Sequence, residues 1–96
     1  DADPNKVIKA LKGGWADSKI LQTHGKRMID KDFSPKGKTS THSKDMNNII
    51  ECARNYNTQL PISNLVKEMY KTLVKNGNGD EDHSSLYKEI KRINNE

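Results

Sequence analysis

The sequence predicts an all-α domain of about five short helices, with residues 1–96 forming a single domain. Three observations lead there. Apolar residues recur every three or four positions between Gly-, Pro- and Asn-rich breaks, no segment alternates with period two, and the periodic segments open on capping residues or proline.

Asp3 followed by Pro4 marks the first helix start, because the carboxylate accepts from unpaired amides of the first turn and proline suits the first helical position. Val7, Ile8 and Leu11 then share a face, and Gly13 and Gly14 end the helix. Asp17 or Ser18 caps a second helix, in which Ile20, Leu21, Met28 and Ile29 lie about one and two turns apart with His24 between them. Residues 30–39, DKDFSPKGKT, combine proline, glycine and charge and read as an exposed loop.

Thr41 or Ser43 opens the third helix, where Met46, Ile49, Ile50, Ala53 and Tyr56 keep helical spacing up to a stop near Asn57. Pro61 starts the fourth, whose stripe is Ile62, Leu65, Val66, Met69, Tyr70 and Leu73, with Gly77 placed for a left-handed cap. Asp82 or Ser84 caps a fifth helix carrying Leu86, Ile90 and Ile93, and the final INNE frays.

Composition bounds what such a domain can do. Leu, Ile, Val and Phe supply only 18 of 96 residues and the mean hydropathy is −1.01, so the core is small and docking against a second surface is expected. A membrane span and a disulfide framework are excluded by the polarity and the single cysteine. With no signal-like apolar segment at its start, the chain fits a reducing, cytoplasmic setting, and the opening DADPNKVIKAL, which lacks a methionine, suggests a piece of a longer protein.

The net charge of +4 lies wholly between Lys26 and Lys44, where Lys26, Arg27, Lys31, Lys36, Lys38 and Lys44 face only Asp30 and Asp32. Such a run can hold a phosphate, a carboxylate or a nucleic-acid backbone, with the dipole at a helix start assisting, or it is simply a solvated loop. His24, His42 and His83 stand far apart in sequence without a partner at ligand spacing, so no metal site is expected. Cys52, mid-helix beside Glu51, reads as a buried inert thiol, and Ser84 and Ser85 read as capping residues rather than parts of a catalytic triad. No glycine-rich phosphate loop is present.

Four segments in order carry a family resemblance. They are DPNKVIKALKGGWADSKIL, HGKRMIDKDFSP, HSKDM at residues 42–46, and QLPISNLVKEMYKTLVKNGNGDEDHSSL. Together they resemble the C-terminal domain of the β-hydroxyacid dehydrogenases, which include 3-hydroxyisobutyrate dehydrogenases and tartronate semialdehyde reductases. The fold implied is the helical C-terminal domain of a 6-phosphogluconate-dehydrogenase-like protein. The resemblance further implies a longer chain with its own N-terminal Rossmann domain binding NAD or NADP, and a catalytic lysine on a helix upstream of these residues, so no catalytic residue lies in this chain.

HSKDM matches the family's H-x-K-D-L, which places Lys44 beside the nicotinamide cofactor, with Asp45 fixing Lys44 or the helix start. The implied chemistry is hydride transfer to or from a small carboxylate substrate, with this domain closing the site in a homo-oligomer, no membrane and no nucleic acid. Two other readings stand beside it: a basic helical module that binds nucleic acid, and a purely structural oligomerisation domain. The sequence departs from the family pattern at Gly37, where many members carry an aromatic residue. The polar run Thr39, Ser40, Thr41 predicts loose packing ahead of the third helix.

Overall fold

The computed structural model describes residues 1–96 as helices joined by turns, without a strand; the one β-type pairing is an isolated bridge between Lys38 and Asp82. The helices are α1 (Pro4–Leu11), α2 (Lys26–Asp30), α3 (Thr39–Asn55), α4 (Pro61–Leu73) and α5 (Leu86–Ile93). Five α-helices are thus present, and none is long and apolar enough to cross a membrane. They fall into two compact units, residues 1–33 and 34–96.

In the first unit α1 starts as expected. Asp3 caps it by accepting from the Asn5 amide at 2.9 Å, and Pro4 occupies the first helical position. Beyond α1, Gly13 takes φ +79°, and its amide donates to the Asp17 carboxylate at 2.7 Å. That bond comes first among the causes holding Asp17 below the usual carboxylate range, followed by the Gln22 side-chain amide.

Ser18 is the residue that caps the next helical stretch, accepting from the Leu21 amide at 2.8 Å. That stretch winds through a π turn, Leu21–Gly25, before α2 begins. A π turn closes one residue later than an α turn, so residues on its two sides do not keep one 3.6-residue stripe. The consequence is visible at Ile20, expected on the inward face but 65% exposed. Gly25 lets α1 come close: a Cβ built there would stand 2.9 Å from Ile8 Cδ1.

The second unit is built on α3 against α4, with α5 also packed on α4. The end of α3 is fixed by Asn57 at φ 52°, with the Asn57 amide donating to the Arg54 carbonyl and the Thr58 amide to the Ala53 carbonyl, a left-handed cap near the expected stop. Pro61 opens α4 as expected, and Gly77, at φ +92°, breaks the helical backbone inside the π turn Val74–Asn78 that follows.

Its apolar core is small. Ile50, Tyr70 and Leu73 are the buried apolar residues, whereas Ile49, Tyr56, Ile62, Leu65, Ile90 and Ile93 stay exposed. The α3, α4 and α5 stripes are therefore only partly covered. On α5 the buried residue is Glu89, its charge held by two bonds of 2.7 and 2.8 Å from Arg92. Burial of a carboxylate is tolerated where a guanidinium grips both oxygens, and here that grip outweighs desolvation and keeps the Glu89 carboxyl below its ordinary range.

Candidate functional site

α3 begins at Thr39, two to four residues ahead of the expected Thr41 or Ser43, and its N-cap residue Lys38 offers no side-chain cap. The caps come from another part of the chain. The Thr39 amide donates to the Glu81 carbonyl at 2.8 Å and the Ser40 amide to the Gly79 carbonyl at 2.9 Å, while the His83 amide returns a bond to the Gly37 carbonyl at 2.8 Å. Two of the amides that a helix start leaves free are thereby satisfied. The expectation that this helix start assists an anion is corrected for those two amides, which point at carbonyls.

Asp82 completes the attachment. One carboxylate oxygen accepts from the Lys36 and Gly37 amides at 3.0 and 3.2 Å, and the other from the Ser84 amide and hydroxyl at 3.0 and 2.6 Å. Burial by itself pushes the Asp82 carboxyl up. The Ser84 hydroxyl and the three amides more than reverse that, holding it well below the usual carboxylate range. Ser84 is therefore a partner of the capping carboxylate, and Ser85 bonds the Thr39 hydroxyl at 3.1 Å, which leaves both in structural roles.

Thr39, like Asp82 and Ser85, has no exposed surface, and its hydroxyl donates to the Asp82 carbonyl at 3.2 Å. Loose packing of residues 39–41 is thus corrected at Thr39. Its hydroxyl finds two partners from residues 82 and 85, so a polar side chain is what the position accommodates. The exposed-loop reading of residues 30–39 likewise gives way at its end, where Gly37 and Thr39 are drawn in.

His42 and His83, distant in sequence, stack face to face with ring centroids 4.0 Å apart and planes 7° from parallel. Gly37 lies against both: a Cβ there would stand 3.2 Å from His42 Cε1 and 3.3 Å from His83 Cδ2. The aromatic residue expected at this position from the family pattern would need the space those two rings fill.

Lys44 and Asp45 lie on the exposed surface of α3, and neither takes part in the ion pairs of the chain. Asp45 neither bonds Lys44 nor caps the helix start, which Glu81 and Gly79 do instead. Two residues along a helix turn by about 200°, so Lys44 projects from the side of α3 away from the His42 stack. The basic run is divided: Lys26, Arg27 and Lys31 belong to the first unit and Lys36, Lys38 and Lys44 to the second. Lys26 pairs with Asp30, and Lys38 with Asp80 at 3.0 Å, so the charges of Lys26 and Lys38 are locally balanced. Cys52 is exposed, correcting the buried thiol; it borders a shallow apolar groove of about 360 Å³ with Ile49, Tyr56 and Leu60.

Comparison with known proteins bears on the chain as a whole. Residues 1–90 match the family described as the NAD-binding domain of NADP-dependent 3-hydroxyisobutyrate dehydrogenase. The chain belongs to this family. It is 38% identical over 94 residues to the 2-hydroxy-3-oxopropionate reductase of Escherichia coli, covering 98% of this chain and 32% of that protein. It is 28% identical over 93 residues to the probable mitochondrial 3-hydroxyisobutyrate dehydrogenase-like protein 1 of Arabidopsis thaliana, covering 97% of this chain and 28% of that one.

The chain therefore spans about a third of the length of these relatives. Among solved structures, the 3-hydroxyisobutyrate dehydrogenase of Salmonella typhimurium superposes with a TM-score of 0.82 at 19% identity, over 88% of this chain and 30% of that one. That likeness establishes the fold, the helical one expected from the sequence.

Proposed function

We propose that the chain is the helical C-terminal domain of an NAD(P)-dependent oxidoreductase acting by hydride transfer on a small β-hydroxyacid or 2-hydroxy-3-oxo acid. In this reading the domain closes the active site against its own Rossmann domain and contributes to a homo-oligomer in a cytoplasmic setting. The observation that carries it is Lys44: within a segment matching the family, an exposed cation stands on a helix whose start is rigidly capped, and no acid of the chain neutralises it.

An ammonium group without an acidic partner suits an anion, either a cofactor phosphate or a substrate carboxylate. The residues present thus fit one edge of a nicotinamide dinucleotide. The nicotinamide, when bound, supplies or accepts the hydride. Lys44 itself binds and orients. The carbonyl caps on Thr39 and Ser40 fix the axis of α3, and with it the direction from which Lys44 reaches an anion.

The test is made on a longer protein carrying this domain, assayed with NADH and NADPH on 2-hydroxy-3-oxopropionate and on 3-hydroxyisobutyrate. Turnover of either acid with either cofactor is expected. A protein that neither turns over nor binds a nicotinamide cofactor overturns the reading.

A further inference from the structure

The segment that caps α3 contains two successive Asn-Gly pairs, Asn76-Gly77 and Asn78-Gly79. In such a pair the glycine has no Cβ, so its backbone nitrogen can approach the asparagine side chain closely. The two pairs share their chemistry and differ in their attachment. We infer that Asn76 is a site of spontaneous deamidation, and that Asn78 is protected from the same reaction by its place in the carbonyl cap of α3.

The reaction needs only water as co-reactant. The Gly77 nitrogen gives up its proton and bonds to Asn76 Cγ, the side-chain nitrogen leaves as ammonia, and a five-membered succinimide forms. Water then opens the ring at one carbonyl or the other, leaving aspartate or isoaspartate at position 76. Both asparagines start from helical backbone, Gly77 being the only non-helical residue in this turn, so each must leave that conformation to close the ring.

Asn76 is free to leave it. Asn76 is exposed, Gly77 sits at φ +92°, and beyond the turn's own backbone nothing lies within 4 Å of where a Gly77 Cβ would be. This is the last turn after α4, where helices open at least cost. Asn78 is half-buried, its carbonyl accepts from the Glu81 amide at 3.2 Å, and the Gly79 carbonyl accepts from the Ser40 amide at 2.9 Å. Ser40 Cβ and Val74 Cγ1 both stand 3.7 Å from the Gly79 Cβ position, so the peptide that must rotate is packed on one side and bonded on the other. Ring closure at Asn78 requires the cap of α3 to open first.

The experiment is incubation of the folded chain in mildly alkaline buffer, with tryptic peptide 76–88 fragmented by mass spectrometry so that the two sites are read separately. Aspartate and isoaspartate at position 76 should accumulate about tenfold faster than at position 78, with the difference closing in denaturant. The inference is overturned if Asn78 reacts as fast as Asn76 in the folded chain, or if Asn76 stays intact there while reacting in denaturant.

Discussion

Thr39 and Asp82 close the start of α3 together: the Thr39 hydroxyl donates to the Asp82 carbonyl at 3.2 Å, and both residues are without exposed surface. With few apolar residues buried, this polar attachment does much of the work of fixing α3. Asp82→Ala removes the acceptor for four hydrogen bonds, two of them to the Lys36 and Gly37 amides. We expect a loss of about 2–4 kcal/mol, read from the urea midpoint at neutral pH.

The same carboxylate sets an acid dependence. Its folded-state value lies below the ordinary 3.8, so the stability it contributes is present above that value and is lost as pH falls toward and through the folded one. The unfolding midpoint of the natural chain should therefore fall more steeply below about pH 4 than that of Asp82→Asn, which carries no titrating group there. Parallel acid profiles for the two proteins would sink the assignment.

Gly37 tests the packing of the histidine stack. A Cβ 3.2 and 3.3 Å from two rings that already face each other leaves neither ring an easy direction to yield. Gly37→Ala is expected to destabilise by about 1 kcal/mol, and Gly37→Phe by more, measured by thermal unfolding. An unchanged melting temperature in Gly37→Phe would mean that the rings separate freely.

How far the sequence revealed this depended on where each determinant lay. The starts of α1 and α4 were legible because Asp3, Pro4 and Pro61 act on their own helices. The start of α3 was not, since its caps are the carbonyls of Gly79 and Glu81, some forty residues away, and backbone acceptors leave no mark in a sequence. The π turn Leu21–Gly25 hid the true register around Ile20, because the spacing of Leu21 and His24 fits an α-helix equally well. The outward turn of Cys52 and the burial of Glu89 both run against residue-type preference, and only the Arg92 pairing explains the latter. Lys44 and Asp45 were named through the likeness of HSKDM to the family's segment, and what the structure gives of them is their exposure on α3.

Glu89 and Arg92 supply a prediction of opposite kind to Asp82. Arg92→Ala leaves a buried carboxylate without the guanidinium that grips both its oxygens. We expect the urea midpoint to fall, and much of that loss to be recovered in Glu89→Gln/Arg92→Ala, where the uncompensated charge is gone. Additive losses in the double variant would show that the two residues act separately.

Lys44 separates a binding role from a structural one. It is exposed on the second turn of α3 and pairs with no acid of the chain, so Lys44→Ala should change stability by no more than about 0.5 kcal/mol. In a longer protein that carries this domain and turns over a hydroxyacid, the same variant should lower kcat/KM by about 10- to 100-fold, the loss of one charge-assisted contact to an anion. Lys44→Arg, which keeps the charge but changes the reach, should recover part of that, whereas Asp45→Asn should change it little. Full activity in Lys44→Ala would make Lys44 a solvated surface charge and move the anion contact elsewhere on the domain.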